Sequence, residues 1–373
     1  MGESNRPSNN FNTASQFTFK IVSYLGYLPF FSSAFQQRKF KCAPKYASKS
    51  FFTAFFFLVV ISLWLITWCG LIISLAAPKW GTNQVDAVGI LIWGLLGISG
   101  IFSIRVIRLI NSNSLYSFLS SLIQFENRII QQETTEVLEL YFAPLFKKIH
   151  ASQQRRIYLF FSLVTLQCAE LLVMHGFSPG GTSLPFSTKI LFIFWDTINI
   201  LHVISLNTCT VCVRSMAAYY TFLATKFTRF GQPDDQKMAF QVSIGLETRK
   251  IIQMYSDLES LVNTFNCHFA LELILEICNY SLQILLTIYM SFSTLEMTFS
   301  DTLCTYIGLT VTLSNYLESF WQLCAHSDLM TKYAGNFVKA VEENCSLFLD
   351  QQTRDRVRFS NTYNQSYVLS KLV

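Results

Sequence analysis

Two long apolar stretches near the C-terminal end each carry a regular row of polar residues. They cover residues 267–293 and 302–325, and a helix of about 20 apolar residues is long enough to cross a bilayer. Spacings of three and four place each row on one helix face: Glu272, Glu276, Asn279, Gln283 and Thr287 in the first stretch, and Thr305, Gly308, Thr312, Asn315, Ser319 and Gln322 in the second. Because such a row cannot face lipid, we expect it to face other helices or a water-filled cavity.

Four earlier apolar stretches extend this pair to a predicted bundle of six membrane-spanning helices. They cover residues 51–77, 87–104, 157–177 and 190–213. Small residues that let neighbouring helices approach closely recur in the second of these stretches at Gly89, Gly94, Gly97 and Gly100. Arg105 and Arg108 are expected to end that span. The last two spans, joined by residues 294–301, are expected to form an antiparallel hairpin. The predicted fold class is all-α, a polytopic transmembrane helical bundle.

Longer charged segments lie between the apolar stretches and are amphipathic. Residues 105–156 and 214–266 are expected to form helices outside the membrane, with a helix break near Pro144 in the first and a turn at 231–235 in the second. Residues 19–31 are apolar but too short to span, so we expect an interfacial segment at the inner membrane face. The predicted organisation is an N-terminal segment at 1–50, spans one to four at 51–213, a helical loop at 214–266, spans five and six at 267–325, and a tail at 326–373.

The distribution of basic residues determines the expected orientation. Of the 28 Lys and Arg residues, all but Lys79 and Lys189 fall in the N-terminal segment, the two long loops and the tail. Basic residues concentrate on the cytoplasmic side of membrane proteins. We therefore expect these segments to be cytoplasmic, with the N-terminus inside and short outer loops.

Composition agrees with a membrane protein and argues against other classes. Hydrophobic residues make up 51% of the 373 residues and charged residues 14%, with 35 phenylalanines. The net charge of +5 is spread in short clusters beside apolar stretches, so we expect no nucleic-acid partner. No signal peptide is expected, since the first strong apolar stretch begins near residue 51.

Patterns for catalysis or metal binding are weak. The sequence contains no phosphate loop, zinc-protease motif or serine-hydrolase motif, so we expect neither an enzyme nor a cofactor. Most of the ten cysteines fall inside predicted spans, which argues against a disulfide framework. Cys209 and Cys212 form a CxxC pattern inside an apolar stretch with no second pair, so we interpret them as packing residues rather than metal ligands.

Several features of the N-terminal and inner segments match a known receptor family. Residues 25–30, LGYLPF, precede the first span, long inner loops follow spans two and four, and a polar helical run with Glu342 and Glu343 follows span six. In these features the chain resembles the arthropod gustatory receptor family of chemoreceptors. The resemblance implies a homo- or hetero-tetrameric ligand-gated cation channel of related receptor subunits. It also implies detection of a small extracellular tastant in the plasma membrane of sensory cells.

One motif of that family is missing at its expected place. Family members end in a seventh span that carries Thr-Tyr, five residues and then Gln-Phe, and that lines the pore. Here Thr305 and Tyr306 are followed at that spacing by Thr312 and Leu313, within the sixth predicted span. The alternatives are a truncated, non-conducting or regulatory receptor isoform, and a small-solute transporter. A transporter is disfavoured because the sequence shows no inverted repeat.

Polar residues in the outer halves of the spans are candidates for ligand binding, because charged groups inside a membrane are costly. At a shared depth they could line a cup open to the outside, suited to hydroxylated or amine-bearing molecules. The candidates are Gln167 and Glu170 in span three, Trp195, Asp196, Asn199 and His202 in span four, Gln283, Thr287 and Tyr289 in span five, and Thr305 and Tyr306 in span six. The alternative is that they hydrogen-bond to each other and hold the helices together, at about 0.6 kcal/mol per pair.

Three glutamates nearer the inner side call for a structural interpretation instead. Glu272, Glu276 and Glu318 are expected to pair with basic groups at the cytoplasmic end, such as Arg214. A buried carboxylate requires such a partner because burial without one is strongly unfavourable.

Overall fold

The part of the chain that the structure describes is folded into helices and contains no strand. This computed structural model describes residues 18–19, 21–22, 27, 49–75, 84–176, 208–228, 239–293, 310, 313–314, 317–318, 321, 324–325 and 328–339. The predicted all-α fold is confirmed for these residues. The expected link at 294–301 and the expected turn at 231–235 lie outside them.

The helices are labelled in chain order. Helix α1 is Lys49–Leu75, α2 is Gln84–Ile110, α3 is Ser112–Gln132, α4 is the single turn Thr135–Val137, and α5 is Ala143–Gly176. Residues 208–228 form α6, the long helix Ala239–Ser293 is α7, and residues 328–339 form α8. The helical residues 18–19 and 21–22 precede α1. Together with Tyr27 they are called the buried N-terminal residues.

Helix α1 has the character of a lipid-facing helix. Large apolar side chains on its outer face are exposed, among them Phe52, Phe56 and Ile66 at 63%, 63% and 67%. The hydroxyl of Thr67 donates to the Leu63 carbonyl oxygen of the same helix at 2.8 Å. In hydrocarbon, polar groups must be satisfied within the protein. By length and composition, Phe52–Gly70 and the stretch Arg249–Leu285 of α7 are able to cross a membrane.

Helix α2 extends further than its apolar sequence. It continues through Arg105 and Arg108, the two residues expected to mark the end of the membrane span, and ends at Ile110. Both side chains are buried, with relative exposures of 5% and 2%, and both have partners inside the protein. Because both arginines have partners inside the protein, their charges do not need to be exposed to water. The direction changes only at Asn111, where Leu95–Ile110 and Ser112–Gln132 meet at a bend of 68°.

Pro144 does not break the helix that contains it. The interruption lies ten residues earlier, at Glu133 and Thr134, and the predicted break near Pro144 is wrong. From Thr135 the chain is continuously helical, with a π-helical turn at Leu138–Phe142 directly before α5. Proline has no N–H and its ring collides with the carbonyl four residues back. A widened turn at that place accommodates both effects without ending the helix.

An aromatic core joins α3, α5, α6, α7 and α8. Phe142 is central to it, with ring centroids 4.8 Å from Phe146, 5.4 Å from Phe222 and 6.0 Å from Tyr219. Burial, reinforced by the Glu126 carboxylate 3.5 Å away, raises the pKa of Tyr219 well above its ordinary value of 10.0. The Tyr219 hydroxyl therefore stays protonated and can donate to Glu126 at neutral pH.

Ion pairs fasten α3 to its two neighbours at the edge of this core. Lys226 of α6 pairs with Glu133 at the end of α3, and both side chains are largely buried. Arg128 of α3 pairs with Asp257 of α7, which also accepts from Gln253 at 3.1 Å. The Arg128 pair is solvent-exposed, so its contribution to stability is at most about 1 kcal/mol.

The buried N-terminal residues contact the protein core. Phe19 and Val22 are fully buried and Tyr27 is 1% exposed, all within the same core cluster. The expected interfacial placement at the membrane face is therefore wrong for these residues, whose apolar side chains contact protein instead. The Tyr27 N–H donates to the Val22 carbonyl oxygen at 3.0 Å, a spacing typical of the bond that caps a helix end.

Helix α7 connects the aromatic core to the apolar bundle. It contains 55 residues without a break, which corresponds to about 80 Å at 1.5 Å per residue. Its first half supplies Tyr255, Leu258 and Phe265 to the core, and its second half packs against α2. The sequence boundary expected at residue 267 falls inside this continuous helix.

Candidate functional site: a buried polar seam along α7

The polar row of α7 faces the protein interior. Glu272, Glu276, Asn279 and Gln283 have relative exposures of 3%, 0%, 8% and 0%, and we call these four residues the polar seam. On the opposite side of the helix Leu271, Ile274, Leu282 and Leu285 are exposed. The prediction that this row faces other helices is thus confirmed for the four residues. The side chain of Thr287 lies outside the described residues.

A glycine of α2 brings the backbone of that helix against the seam. A Cβ atom at Gly100 would lie 2.9 Å from both Cγ and Oδ1 of Asn279, which is closer than any side chain allows. Only glycine permits this approach without movement of Asn279. The expectation that small residues in α2 allow close helix contact is confirmed at this position.

A buried ion pair closes the Glu272 end of the seam. Arg108 of α2 donates to Glu272 Oε1 through Nε at 2.9 Å and through Nη2 as well. Both side chains are almost fully buried, at 2% and 3% exposure. A pair of this kind is costly to desolvate, and removing one partner leaves the other charge buried. Cys209 of α6 lies beside the pair, with Sγ 4.0 Å from Glu272 Oε1.

Aromatic rings enclose the second arginine. The Arg105 guanidinium carbon lies 3.7 Å from the ring centroid of Tyr27 and 5.1 Å from that of Phe57 in α1. Tyr27 also lies 5.5 Å from the Arg108 guanidinium carbon. Cations over aromatic faces are attracted by the ring quadrupole. Five parts of the chain therefore converge at the Glu272 end of the seam: the buried N-terminal residues, α1, α2, α6 and α7.

The partner of Glu272 differs from the one expected. Arg214 of α6 donates instead to the Ser152 hydroxyl of α5 at 2.6 Å, while Glu318 stabilises its positive charge. The expected kind of pair, a seam glutamate with a basic residue, is present, but Arg108 supplies the charge.

Comparison with known proteins identifies the family. A sequence model of the 7tm chemosensory receptors matches residues 16–356. The chain belongs to the 7tm chemosensory receptor family. The resemblance found from the sequence is thereby confirmed, and the family is one of receptors rather than enzymes. A search of curated protein sequences finds no match.

Solved structures with the same fold come from an insect. The insect olfactory receptor OR5 from Machilis hrabei matches with a TM-score of 0.59 and 14% sequence identity, over 94% of this chain and 88% of that one. The structure of that receptor in complex with eugenol matches with a TM-score of 0.50 and 13% identity, over 95% and 90% of the two chains. At this identity the likeness concerns the fold.

Within this chemosensory receptor, the predicted outer cup is only partly described. Gln283 is buried in the seam, and Tyr289 is 44% exposed on α7. Gln167 and Glu170 lie in helix α5 and Thr287 in α7, but their side chains are outside the described set. The remaining candidates fall on residues that are not described: Trp195, Asp196, Asn199, His202, Thr305 and Tyr306.

The contact of Tyr27 with the two arginines was not found from the sequence. The position of Tyr27 over Arg105 and Arg108 joins residues far apart in the chain, and only the LGYLPF motif singled out that tyrosine. Cys209 and Cys212 are buried, unlinked thiols in the structure. Among the described residues no group of three His, Cys, Asp or Glu side chains is placed to hold a metal ion.

Proposed function

We propose that this receptor is a subunit of a ligand-gated cation channel that detects a small extracellular tastant. The observation that carries the proposal is the polar seam in a membrane-type helix, Glu272 to Gln283, within a chain of the chemosensory receptor family. Buried polar residues in a membrane protein are costly and are retained where ions, ligands or conformational changes require them.

The proposed ligand site is an outward-facing cup beyond the outer end of the seam. Gln283 would form its floor, and Glu170, Asp196, Asn199, His202 and Tyr306 would supply hydrogen bonds and charge. Gln167, Trp195, Thr287, Tyr289 and Thr305 complete the proposed lining. The eugenol complex of OR5 supports a small organic ligand, although gustatory specificity is our own inference from the sequence.

The proposed orientation follows from the basic residues: six spans, with cytoplasmic N-terminal, loop and tail segments at 1–50, 105–156, 214–266 and 326–373. The family resemblance implies a location in the plasma membrane of sensory cells. The functional unit would be a homo- or hetero-tetramer with related receptor subunits. A ligand that binds the open state more tightly than the closed state would then shift the population towards conduction.

Electrophysiology with matched variants tests the function. The chain is expressed alone and with related receptors, and ligand-evoked cation current is recorded against a panel of hydroxylated and amine-bearing molecules. We expect Glu170→Gln or Asp196→Asn to raise the half-maximal ligand concentration at least tenfold, because each removes a charge from the cup. The exposed Glu139→Gln is the control and should respond as the parent does. If no combination produces or alters a current, the channel function is rejected.

A further inference from the structure

Helix α5 changes character sharply at one level of its exposed face. Lys147, Lys148 and Arg155 are exposed on its inner part. About one and two turns beyond Arg155, Tyr158 and Phe161 are exposed to 62% and 46% respectively. The opposite side of the helix is buried at Ile149, Gln153 and Ile157. A basic surface and an apolar surface therefore adjoin on a single helix face.

The apolar part of this face is compatible with hydrocarbon. The hydroxyl of Ser162 donates to the Tyr158 carbonyl oxygen at 2.9 Å, and that of Thr165 donates to the Phe161 carbonyl oxygen at 2.9 Å. Both exposed polar groups are thus satisfied by their own helix, as lipid contact requires. The exposed Thr67 of α1 is satisfied in the same way.

The basic part carries positive charge that the described protein does not neutralise. None of the ion pairs among the described residues includes Lys147, Lys148 or Arg155. The sequence has no acidic residue between Glu139 and Glu170, and Glu139 lies about 13 Å along the helix axis from Lys148. Arg214 approaches α5 at Ser152, but Glu318 offsets its charge.

The spacing along α5 fits the dimensions of a phospholipid. Lys148 and Arg155 are seven residues apart, which places them on one face and about 10 Å apart along the axis. Tyr158 lies about 5 Å further on, at the level where tyrosine rings meet lipid headgroups. A headgroup between the two basic side chains would place its acyl chains along Tyr158 and Phe161.

We propose that the α5 surface formed by Lys148, Arg155, Tyr158 and Phe161 binds an anionic phospholipid of the inner leaflet. The headgroup phosphate and carboxylate contact the two basic side chains, and the acyl chains lie against the two rings. The assignment to the inner leaflet rests on the orientation proposed above. The proposed lipid binding requires neither this orientation nor channel activity. The lipid-binding proposal and the proposed channel function can therefore fail separately.

Native mass spectrometry of the full-length chain in neutral detergent tests the proposal. Phosphatidylserine and phosphatidylcholine with identical acyl chains are titrated separately. We expect phosphatidylserine to bind more tightly, and raised ionic strength to weaken it, since the attraction is electrostatic. Each Lys or Arg beside an anionic headgroup is expected to raise the lipid affinity about fivefold. Lys148→Gln with Arg155→Gln should therefore lower phosphatidylserine affinity about 25-fold and phosphatidylcholine affinity less, because phosphatidylcholine has a phosphate but no carboxylate and no net charge.

Three controls separate the surface from general effects. Lys148→Arg with Arg155→Lys keeps both charges and should retain binding. Arg249→Gln with Lys332→Gln removes two exposed charges elsewhere and should bind as the parent does. Tyr158→Ser with Phe161→Ser should weaken both lipids, because the acyl chains lose their contact.

Three outcomes overturn the proposal. One is equal binding of the two lipids to the parent chain. Another is an equal loss of phosphatidylserine in the Arg249 and Lys332 control. The third is that the Gln variants lose self-association rather than lipid, which would assign the α5 surface to a second copy of the chain.

Discussion

Glu272 illustrates how one buried charge can determine a contact between distant segments. It is 164 residues from Arg108 in the chain, and both side chains are nearly inaccessible to solvent. Glu276, one turn further along α7, adds a second negative charge that interacts with Arg108. The pair holds α2 against α7 because neither charge is stable in the interior without the other.

Glu272→Gln should destabilise the receptor by about 3 kcal/mol. That value is the low end of the range for breaking a buried ion pair, because Glu276 remains near Arg108. The melting temperature in detergent, followed by fluorescence-detected gel filtration, should fall clearly below that of the parent. Arg108→Met combined with Glu272→Leu should cost less than Glu272→Gln alone. If Glu272→Gln is as stable as the parent, the ion pair does not stabilise the receptor.

Gly100 offers a test of close packing at a single atom. Gly100→Ala places Cβ 2.9 Å from Asn279 Cγ, and we expect a loss of about 1–3 kcal/mol from this overlap. Gly70→Ala is the matched control, since nothing lies within 4 Å of a Cβ there. It should be neutral or stabilising, because alanine is the better helix former.

Asn279→Ala in the Gly100→Ala background distinguishes overlap from other effects. The double variant should recover most of the lost melting temperature, because the smaller side chain leaves room for the new methyl group. Equal destabilisation in the single and double variants would mean that the loss has another origin.

At the scale of elements, α8 packs against the core through buried apolar residues, of which Phe337 has the largest side chain. Phe337 is fully buried and stacks on Tyr255 of α7, with centroids 4.4 Å apart and planes inclined by 11°. It also contacts Phe227 of α6 at 6.1 Å. Met330 and Val338 of α8 are buried in the same core cluster, so apolar packing holds this helix against the core.

Phe337→Ala should release α8 from the core. Truncation of a buried phenylalanine costs about 3–5 kcal/mol, and it removes the ring that packs against Tyr255 and Phe227. Limited proteolysis of the purified chain should then cleave within residues 328–339 faster than in the parent. Trp321→Ala is the control, because Trp321 is 69% exposed and its removal should leave the cleavage rate unchanged.

Helix boundaries show where sequence reasoning about elements is reliable and where it is not. The spacing of Glu272, Glu276, Asn279 and Gln283 was sufficient to predict that they share one buried face. The spacing of polar residues along a helix is a local property that the sequence records. The break near Pro144 was wrong because a π-helical turn absorbs the proline. That turn packs Phe142 against Tyr219 and Phe222, and a contact with α6 is not encoded locally.

For the whole molecule, membrane orientation is the property with the broadest consequences. The basic residues predict that both termini lie in the cytoplasm. Epitope tags at either end should therefore remain unstained on intact cells and become stained after permeabilisation. A tag inserted beside Lys189 should stain intact cells and serves as the control. Staining of both terminal tags on intact cells would reverse the orientation, and with it the outward-facing cup.

The sequence by itself determined the fold class, the receptor family and the inward face of the polar row. The fold class and the inward face follow from composition and from a period of three to four residues, and the family follows from a resemblance in the LGYLPF motif and the loop organisation. Only the tertiary structure decided which charge Arg108 neutralises, that Tyr27 covers Arg105, and that Gly100 meets Asn279. These contacts join segments 78 to 179 residues apart. Which of these contacts form depends on how whole helices pack in three dimensions. Residue spacing along one helix does not record that packing.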